Sequence, residues 1–212
     1  MDFGTLRFVR LISVLGICLL GGYYASALFW PEQPAARSNQ HRPPDTQETV
    51  QSLPDFALLD LEGDMRSISE WSARPLIINF WATWCAPCRR EMPLLETLHQ
   101  ERKGDPLHVI GIAIDYPDAV EAFIIESGIT YQILAGQQDA MEVAEKFGSD
   151  FVALPFTVFT APNGEVLLWH SGELHPEQLR AIVTVSDRVV AGQLTAAEAR
   201  LLLSASTDPE SG

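Results

Sequence analysis

Cysteine and basic residues are both scarce in this chain. Three cysteines in 212 residues are too few for the disulfide framework that stabilises small secreted domains. Lys and Arg number 14 against 28 Asp and Glu, a formal net charge of −14, and so acidic a surface repels phosphate backbones. We therefore expect no nucleic-acid partner. A hydrophobic content of 47% also excludes wholesale disorder.

An apolar run near the N-terminus, at residues 11–30, contains no charged side chain. About twenty helical residues span ~30 Å, the thickness of the hydrocarbon core of a bilayer. Arg7 and Arg10 precede the run, and aromatic residues are concentrated at its far end, as they are at membrane interfaces. The pattern predicts a cytoplasmic N-terminus at residues 1–10 and a single-pass transmembrane anchor at 11–30. The small residues at 25–27 leave a cleaved signal peptide as the alternative.

The composition changes again after the apolar run. Residues 31–52 are rich in Pro, Gln and small polar side chains, which is typical of a flexible linker. Residues 53–190 show the apolar patterns of strands and helices, and this range is predicted to be the folded domain. Thr195 and Glu198 then form a capping-box pattern, so residues 191–212 are predicted to hold a short helix and a tail.

The folded range is predicted to contain a central mixed sheet covered by helices. Residues 75–81 and 107–114 are nearly continuous apolar runs, which is typical of strands buried on both faces. Further strands are predicted at 56–60, 65–68, 131–134, 156–160 and 166–170, and helices at 86–102, 119–126, 140–147 and 176–190. The order β-β-β-α-β-α-β-α-β-β-α predicts an α/β fold.

The strongest chemical signal is a C-x-x-C motif, Cys85 to Cys88, between a buried strand and a helix. Unpaired N–H groups and the helix dipole favour an anion at a helix N-terminus. Cys85 is therefore the cysteine expected to form the reactive thiolate, and Cys88 lies within reach of its sulfur. A zinc half-site and a structural disulfide are alternatives, but further ligands of suitable spacing are missing and so short a loop constrains little. We expect a redox pair that needs no metal and no cofactor.

The string INFWATWCAPCRREMPLLETL, residues 78–98, resembles the thioredoxin superfamily. Within it the string looks like the membrane-anchored TlpA, ResA and CcmG group of thiol-disulfide oxidoreductases. The resemblance covers about residues 53–190, with an N-terminal β extension and a central insertion near 117–134. It implies a thioredoxin-like fold in an extracytoplasmic enzyme at the inner (cytoplasmic) membrane, with its catalytic domain on the periplasmic side.

The resemblance also implies roles for individual residues. Cys85 would be the exposed nucleophile and Cys88 the buried resolving thiol. Glu91, one helical turn further on, would be the carboxylate that exchanges protons with them. Leu154 and Pro155 would form the loop in which a cis-proline presents backbone to the substrate. The residues alone leave a solvated, arginine-paired glutamate and an ordinary strand-start proline as the alternatives.

Four further positions near the motif carry information in the light of this resemblance. Trp81 and Trp84 would line the site, with Trp84 among the substrate-binding residues, and core packing is the alternative for each. Asn79 stands where cytoplasmic thioredoxins keep a buried aspartate, and Gly111 where they keep its lysine partner. Proton transfer would then depend on Glu91.

The function that the resemblance implies is reduction of protein disulfides outside the cytoplasm. A membrane electron donor of the DsbD or CcdA type would resupply electrons, and apocytochrome c is one expected substrate. A protein-disulfide oxidase shares the motif and stays open as an alternative. A thiol peroxidase related to peroxiredoxins, whose threonine lies three residues before the cysteine where Thr83 lies two before, and a non-catalytic docking module are the others.

Overall fold

A seven-stranded mixed sheet runs through residues 52–148 and 153–207, the part of the chain that the computed structural model describes. Its strands are β1 (Ala57–Asp60), β2 (Met65–Ser67), β3 (Leu76–Trp81), β4 (His108–Ile114), β5 (Gln132–Gly136), β6 (Phe156–Thr160) and β7 (Val166–Ser171). The α-helices within these ranges are α1 (Ala86–Glu101), α2 (Pro117–Ser127), α3 (Gln138–Glu145), α4 (Pro176–Val190) and α5 (Ala196–Thr207). The predicted α/β fold with a mixed sheet is confirmed.

The strand order places the C-x-x-C motif at the middle of one sheet edge. The order is β2-β1-β5-β4-β3-β6-β7, and β3 pairs in parallel with β4 and antiparallel with β6. The carboxyl ends of β3 and β4 therefore meet at one edge, and β6 begins there because Phe80 pairs with Phe156. That edge collects residues from three distant parts of the chain.

Strand β3 is buried along its whole length because it is covered on both faces. Trp81 belongs to a core cluster that includes Met92 of α1 and residues of α4 and α5. Phe80 belongs to the cluster on the other face, where its ring lies 5.6 Å from that of Phe147 in an edge-on arrangement. Burial on both faces explains the unbroken apolar run in the sequence. Asn79 is the polar exception within it.

The predicted order of strands and helices is confirmed, with one addition after β2. A 3₁₀ helix spans Ile68–Trp71, so the predicted strand at 65–68 ends one residue early. The Ser67 hydroxyl accepts a hydrogen bond from the Ser69 N–H, and the Glu70 carboxylate accepts one from the Ser67 N–H. This capping box draws the backbone out of the strand.

The C-terminal capping box is also present in the structure. The Thr195 Oγ1 accepts a hydrogen bond from the Glu198 N–H at 3.2 Å, and the Glu198 Oε2 accepts one from the Thr195 N–H at 2.8 Å. Ala199 and Leu203 are buried in the cluster that contains the cysteine pair. Helix α5 therefore packs with the core that lies behind the site.

The chain enters the described domain beside the β6–β7 hairpin. Ser52 forms an isolated antiparallel bridge with Glu165, and the Leu53 N–H donates to the Gly164 carbonyl at 2.8 Å. The predicted anchor at residues 11–30 and all of the predicted linker before Ser52 lie outside the described residues. Within 52–148 and 153–207, no helix combines the length and the hydropathy needed to span a bilayer.

Candidate active site

The two cysteines of the motif form a disulfide at the start of α1. Cys85 is the N-cap residue of this helix, and its Sγ accepts a hydrogen bond from the Cys88 N–H at 3.3 Å. That donor and the helix dipole would stabilise a Cys85 thiolate in the reduced protein. Cys85 keeps 5% of its surface exposed and Cys88 keeps none. Cys85 is thus the more accessible sulfur, but it is less exposed than the resemblance implied because its sulfur is bonded to Cys88.

The peptide bond between Leu154 and Pro155 is cis, as the resemblance implied. Pro155 directly precedes β6, so it lies at the sheet edge that carries the cysteine pair. Its carbonyl accepts a hydrogen bond from the Gly172 N–H at 2.9 Å, and Leu154 is partly buried against the core. Binding of substrate backbone by Leu154 and Pro155 stays a prediction.

Glu91 is buried, with 1% of its surface exposed. Its Oε1 accepts a hydrogen bond from Asn79 Nδ2 at 2.7 Å, and its Oε2 accepts one from the Leu174 N–H at 2.7 Å. The alternative of a solvated glutamate paired with an arginine is therefore wrong. The neighbouring Arg90 pairs instead with Glu173, at 2.5 Å.

The environment of Glu91 suits it to proton transfer near neutral pH. Desolvation by burial raises its pKa to about 7, and this effect outweighs the hydrogen bonds from Leu174 and Asn79, which lower the pKa. A carboxyl group with such a pKa can both accept and return a proton at neutral pH. Glu91 lies one helical turn beyond Cys88 on α1, so the two side chains share a face of the helix.

Asn79 and Gly111 explain how this site differs from that of cytoplasmic thioredoxins. The two residues are register partners on β3 and β4. A Cβ at position 111 would lie 2.7 Å from Ile133 Cδ1, so the neighbouring strand leaves no space for a lysine. Asn79 also donates to Thr157 Oγ1 at 2.9 Å. An amide can donate to ionised Glu91 or, turned over, accept from its protonated form.

The structure separates the two tryptophans of the motif. Trp81 is fully buried, and its ring centroid lies 5.4 Å from that of Phe123. Trp84 is 69% exposed. Trp81 therefore packs in the core behind the site, whereas Trp84 has the free surface that contact with a substrate requires.

Asp115 holds the loop that leads into the cysteine pair, a role that no sequence pattern indicated. Its Oδ2 accepts hydrogen bonds from the Thr83 N–H at 3.0 Å and from Thr83 Oγ1 at 2.5 Å. Its Oδ1 accepts from the Tyr116 N–H at 2.8 Å. Thr83 and Asp115 follow β3 and β4, and they meet because these strands are parallel neighbours. Sequence reasoning missed this contact because it depends on the sheet register.

We expect Asp115→Ala to lower both the free energy of unfolding and the rate of disulfide exchange. The substitution leaves the Thr83 N–H and hydroxyl without their acceptor in a largely buried place, which costs about 1–3 kcal/mol. Asp115→Asn keeps an amide oxygen and should recover part of the loss. Chemical denaturation and stopped-flow exchange measure the two effects. The matched control is Glu145→Ala, which removes an exposed carboxylate from α3; equal losses in both variants would contradict the role of Asp115.

A short segment after β7 joins the active-site helix to the cis-proline. Gly172 donates to the Pro155 carbonyl, Glu173 pairs with Arg90, and the Leu174 N–H donates to Glu91. Gly172 has a φ of +102°, a conformation that favours glycine. The segment therefore contributes a backbone donor to the site, and sequence reasoning offered no signal for it.

Comparisons with known proteins agree with this geometry. Residues 50–168 match the AhpC/TSA family. The chain is 33% identical over 129 residues to thiol-disulfide oxidoreductase ResA of Geobacillus kaustophilus, covering 60% of this chain and 72% of the relative. It is 28% identical over 173 residues to ResA of Geobacillus thermodenitrificans, covering 81% and 91%. A thioredoxin family thiol:disulfide interchange protein from Chlorobium tepidum has the same fold, with a TM-score of 0.59 at 21% identity over 64% of this chain and 95% of that one.

Proposed function

The chain belongs to the AhpC/TSA family, and we propose that it reduces protein disulfides outside the cytoplasm. It is a thiol-disulfide oxidoreductase of the ResA type. The observation that carries the proposal is the Cys85–Cys88 disulfide at the N-terminus of α1, with the buried carboxyl of Glu91 one turn away.

The reaction proceeds by two exchanges of sulfur–sulfur bonds. The Cys85 thiolate attacks one sulfur of the target disulfide, which breaks the target S–S bond and releases the other target sulfur as a thiolate that takes a proton. A mixed disulfide now joins Cys85 to the target. Cys88 loses its proton and attacks the Cys85 sulfur, releasing the second target thiol. The target gains two electrons, and the enzyme is left with the Cys85–Cys88 disulfide.

The surroundings of Cys88 favour the reducing direction. Oxidising enzymes of this type are strong oxidants because their reduced, thiolate form is stabilised. Here Cys88 is fully buried and Glu91 lies on the same face of α1. Burial and a nearby negative charge both disfavour a thiolate. The disulfide form is thereby favoured relative to the dithiol, as a reductant requires.

Location and partners are part of the same proposal. The apolar run at residues 11–30, preceded by Arg7 and Arg10, supports an inner-membrane anchor with the catalytic domain on the periplasmic side. A domain placed there needs electrons from a membrane donor of the DsbD or CcdA type. Apocytochrome c is the substrate we propose first, since its haem-binding cysteines must be reduced, and this places the enzyme in cytochrome c biogenesis.

The reduction potential of the Cys85–Cys88 pair tests the direction of the reaction. We expect the full-length protein, equilibrated against a dithiothreitol series, to give a value near or below that of thioredoxin, about −270 mV. Thiol alkylation followed by mass spectrometry measures the reduced fraction, and the double variant Cys85→Ser, Cys88→Ser provides the blank. A value near that of DsbA, about −120 mV, would instead identify a protein-disulfide oxidase.

A further inference from the structure

We propose that Trp84 and Tyr116 form an aromatic docking surface for an apolar side chain next to the cysteine of a disulfide-bonded polypeptide. The two residues flank the approach to Cys85 on the side of β4. The inference rests on the proposed function, because the occupant is the polypeptide whose disulfide Cys85 attacks.

Exposure singles out these two rings. Trp84 is 69% exposed and Tyr116 is 64% exposed. In residues 52–148 and 153–207 they are the two aromatic members among the large exposed hydrophobic side chains. Exposed aromatic rings are enriched where proteins bind one another, because they bury much apolar area with few rotatable bonds.

One carboxylate holds both aromatic residues in place. Asp115 Oδ2 accepts from the Thr83 N–H, next to Trp84, and Asp115 Oδ1 accepts from the Tyr116 N–H. The backbone at both rings is therefore fixed to the two oxygens of a single buried side chain. A surface that is already ordered loses little conformational entropy when a ligand binds.

The placement of the surface relative to Cys85 defines the occupant. Cys85 follows the central strand β3; Tyr116 follows β4 on one side, and Pro155 precedes β6 on the other. An extended polypeptide whose cysteine lies at Cys85 and which crosses this edge must pass over Tyr116 in one direction. At about 3.3 Å per residue and about 4.8 Å between strands, the contact falls on a residue within about two positions of the cysteine.

The chemistry of the surface selects an uncharged partner segment. The chain is strongly acidic, so a contact made through two uncharged rings avoids the repulsion that an acidic segment would meet elsewhere. We expect the favoured segment to carry Phe, Leu or another large apolar residue beside its cysteine. The aromatic surface then adds to the rate of attack on such disulfides without taking part in the chemistry of the sulfur atoms.

The test uses symmetrical disulfide dimers of two peptides, Gly-Phe-Cys-Phe-Gly and Gly-Ser-Cys-Ser-Gly, so that either sulfur is equivalent. Reduced full-length protein is mixed with each dimer, and the second-order rate constant is followed by the change in intrinsic tryptophan fluorescence. We expect wild type to react about tenfold faster with the Phe peptide, the size of effect typical of an aromatic contact. Tyr116→Ala should abolish most of this preference, and Tyr116→Phe should retain it.

The controls separate the docking surface from the reaction itself. Glutathione disulfide carries no large apolar side chain, so its rate constant should be the same in wild type and Tyr116→Ala. Ile125→Ala, which removes another exposed apolar side chain (74% exposed) from α2, should leave the peptide preference unchanged. An unchanged preference in Tyr116→Ala, an equal loss in Ile125→Ala, or no preference in wild type would overturn the proposal. Failure of wild type to reduce any of the three disulfides would contradict the proposed function instead.

Discussion

Cys85→Ser is expected to lower the rate of disulfide reduction by about 10³-fold or more, whereas Cys88→Ser should trap the substrate on the enzyme. The difference follows from the positions of the two sulfurs. Cys85 is the N-cap of α1, accepts the Cys88 N–H, and keeps the accessible surface of the pair. Cys88 is fully buried, so a target disulfide cannot reach it first.

Non-reducing gels of full-length Cys88→Ser, followed by mass spectrometry, measure the trapped mixed disulfides. Cys85 attacks in this variant, but the second exchange has lost its thiol, so the intermediate accumulates. The double variant Cys85→Ser, Cys88→Ser is the control and should trap nothing. Trapping through Cys88 in the Cys85→Ser variant would reverse the assignment of the two sulfurs.

Glu91→Gln is expected to change how stability depends on pH. Between pH 4.5 and about 7 the folded chain keeps a proton on Glu91 that the unfolded chain has released, because burial raises the pKa from 4.5 to about 7. The unfolded state then binds fewer protons, so the free energy of unfolding of wild type falls as pH rises through this range. The full loss, about 3 kcal/mol, is reached above pH 7.

The variant should not show this fall, since glutamine does not ionise. Turning over the Asn79 amide lets it accept from the new amide group, while the glutamine oxygen accepts from the Leu174 N–H. Denaturation curves of the disulfide-bonded proteins between pH 4.5 and 8 measure the difference. We expect the stability of Glu91→Gln relative to wild type to rise by about 3 kcal/mol across the range; parallel curves would show that Glu91 does not titrate there.

Glu173 provides a control of opposite sign on the adjoining segment. The hydrogen bond from Arg90 lowers the pKa of Glu173 below its ordinary value of 4.5. Its contribution to stability is therefore present above pH 4.5 and is lost as pH falls below it. Glu173→Gln should differ from wild type by a constant amount between pH 5 and 8, and this behaviour separates burial of Glu91 from a general effect of removing a carboxylate.

Local sequence patterns determined the elements and the redox pair of this protein. The unbroken apolar run at residues 75–81 predicted a strand covered on both faces, and β3 has that burial because its alternate residues enter two core clusters. The C-x-x-C motif at the boundary of that strand predicted a helix N-terminus, and Cys85 is the N-cap. These features depend on residues close together in the chain, so propensity and periodicity are sufficient to find them.

Tertiary structure alone decided the surroundings of the redox pair. Glu91 meets Leu174 across 83 residues, and Asp115 meets Thr83 across 32. The burial that raises the pKa of Glu91 and the exposure of Tyr116 also depend on which strands are neighbours and on which segment covers the edge of the sheet. Such contacts follow from strand order and register, which the pattern of any one segment leaves undetermined. The sequence therefore determined which sulfur chemistry the protein performs, and the packing of distant segments decided the charge and the surface that surround it.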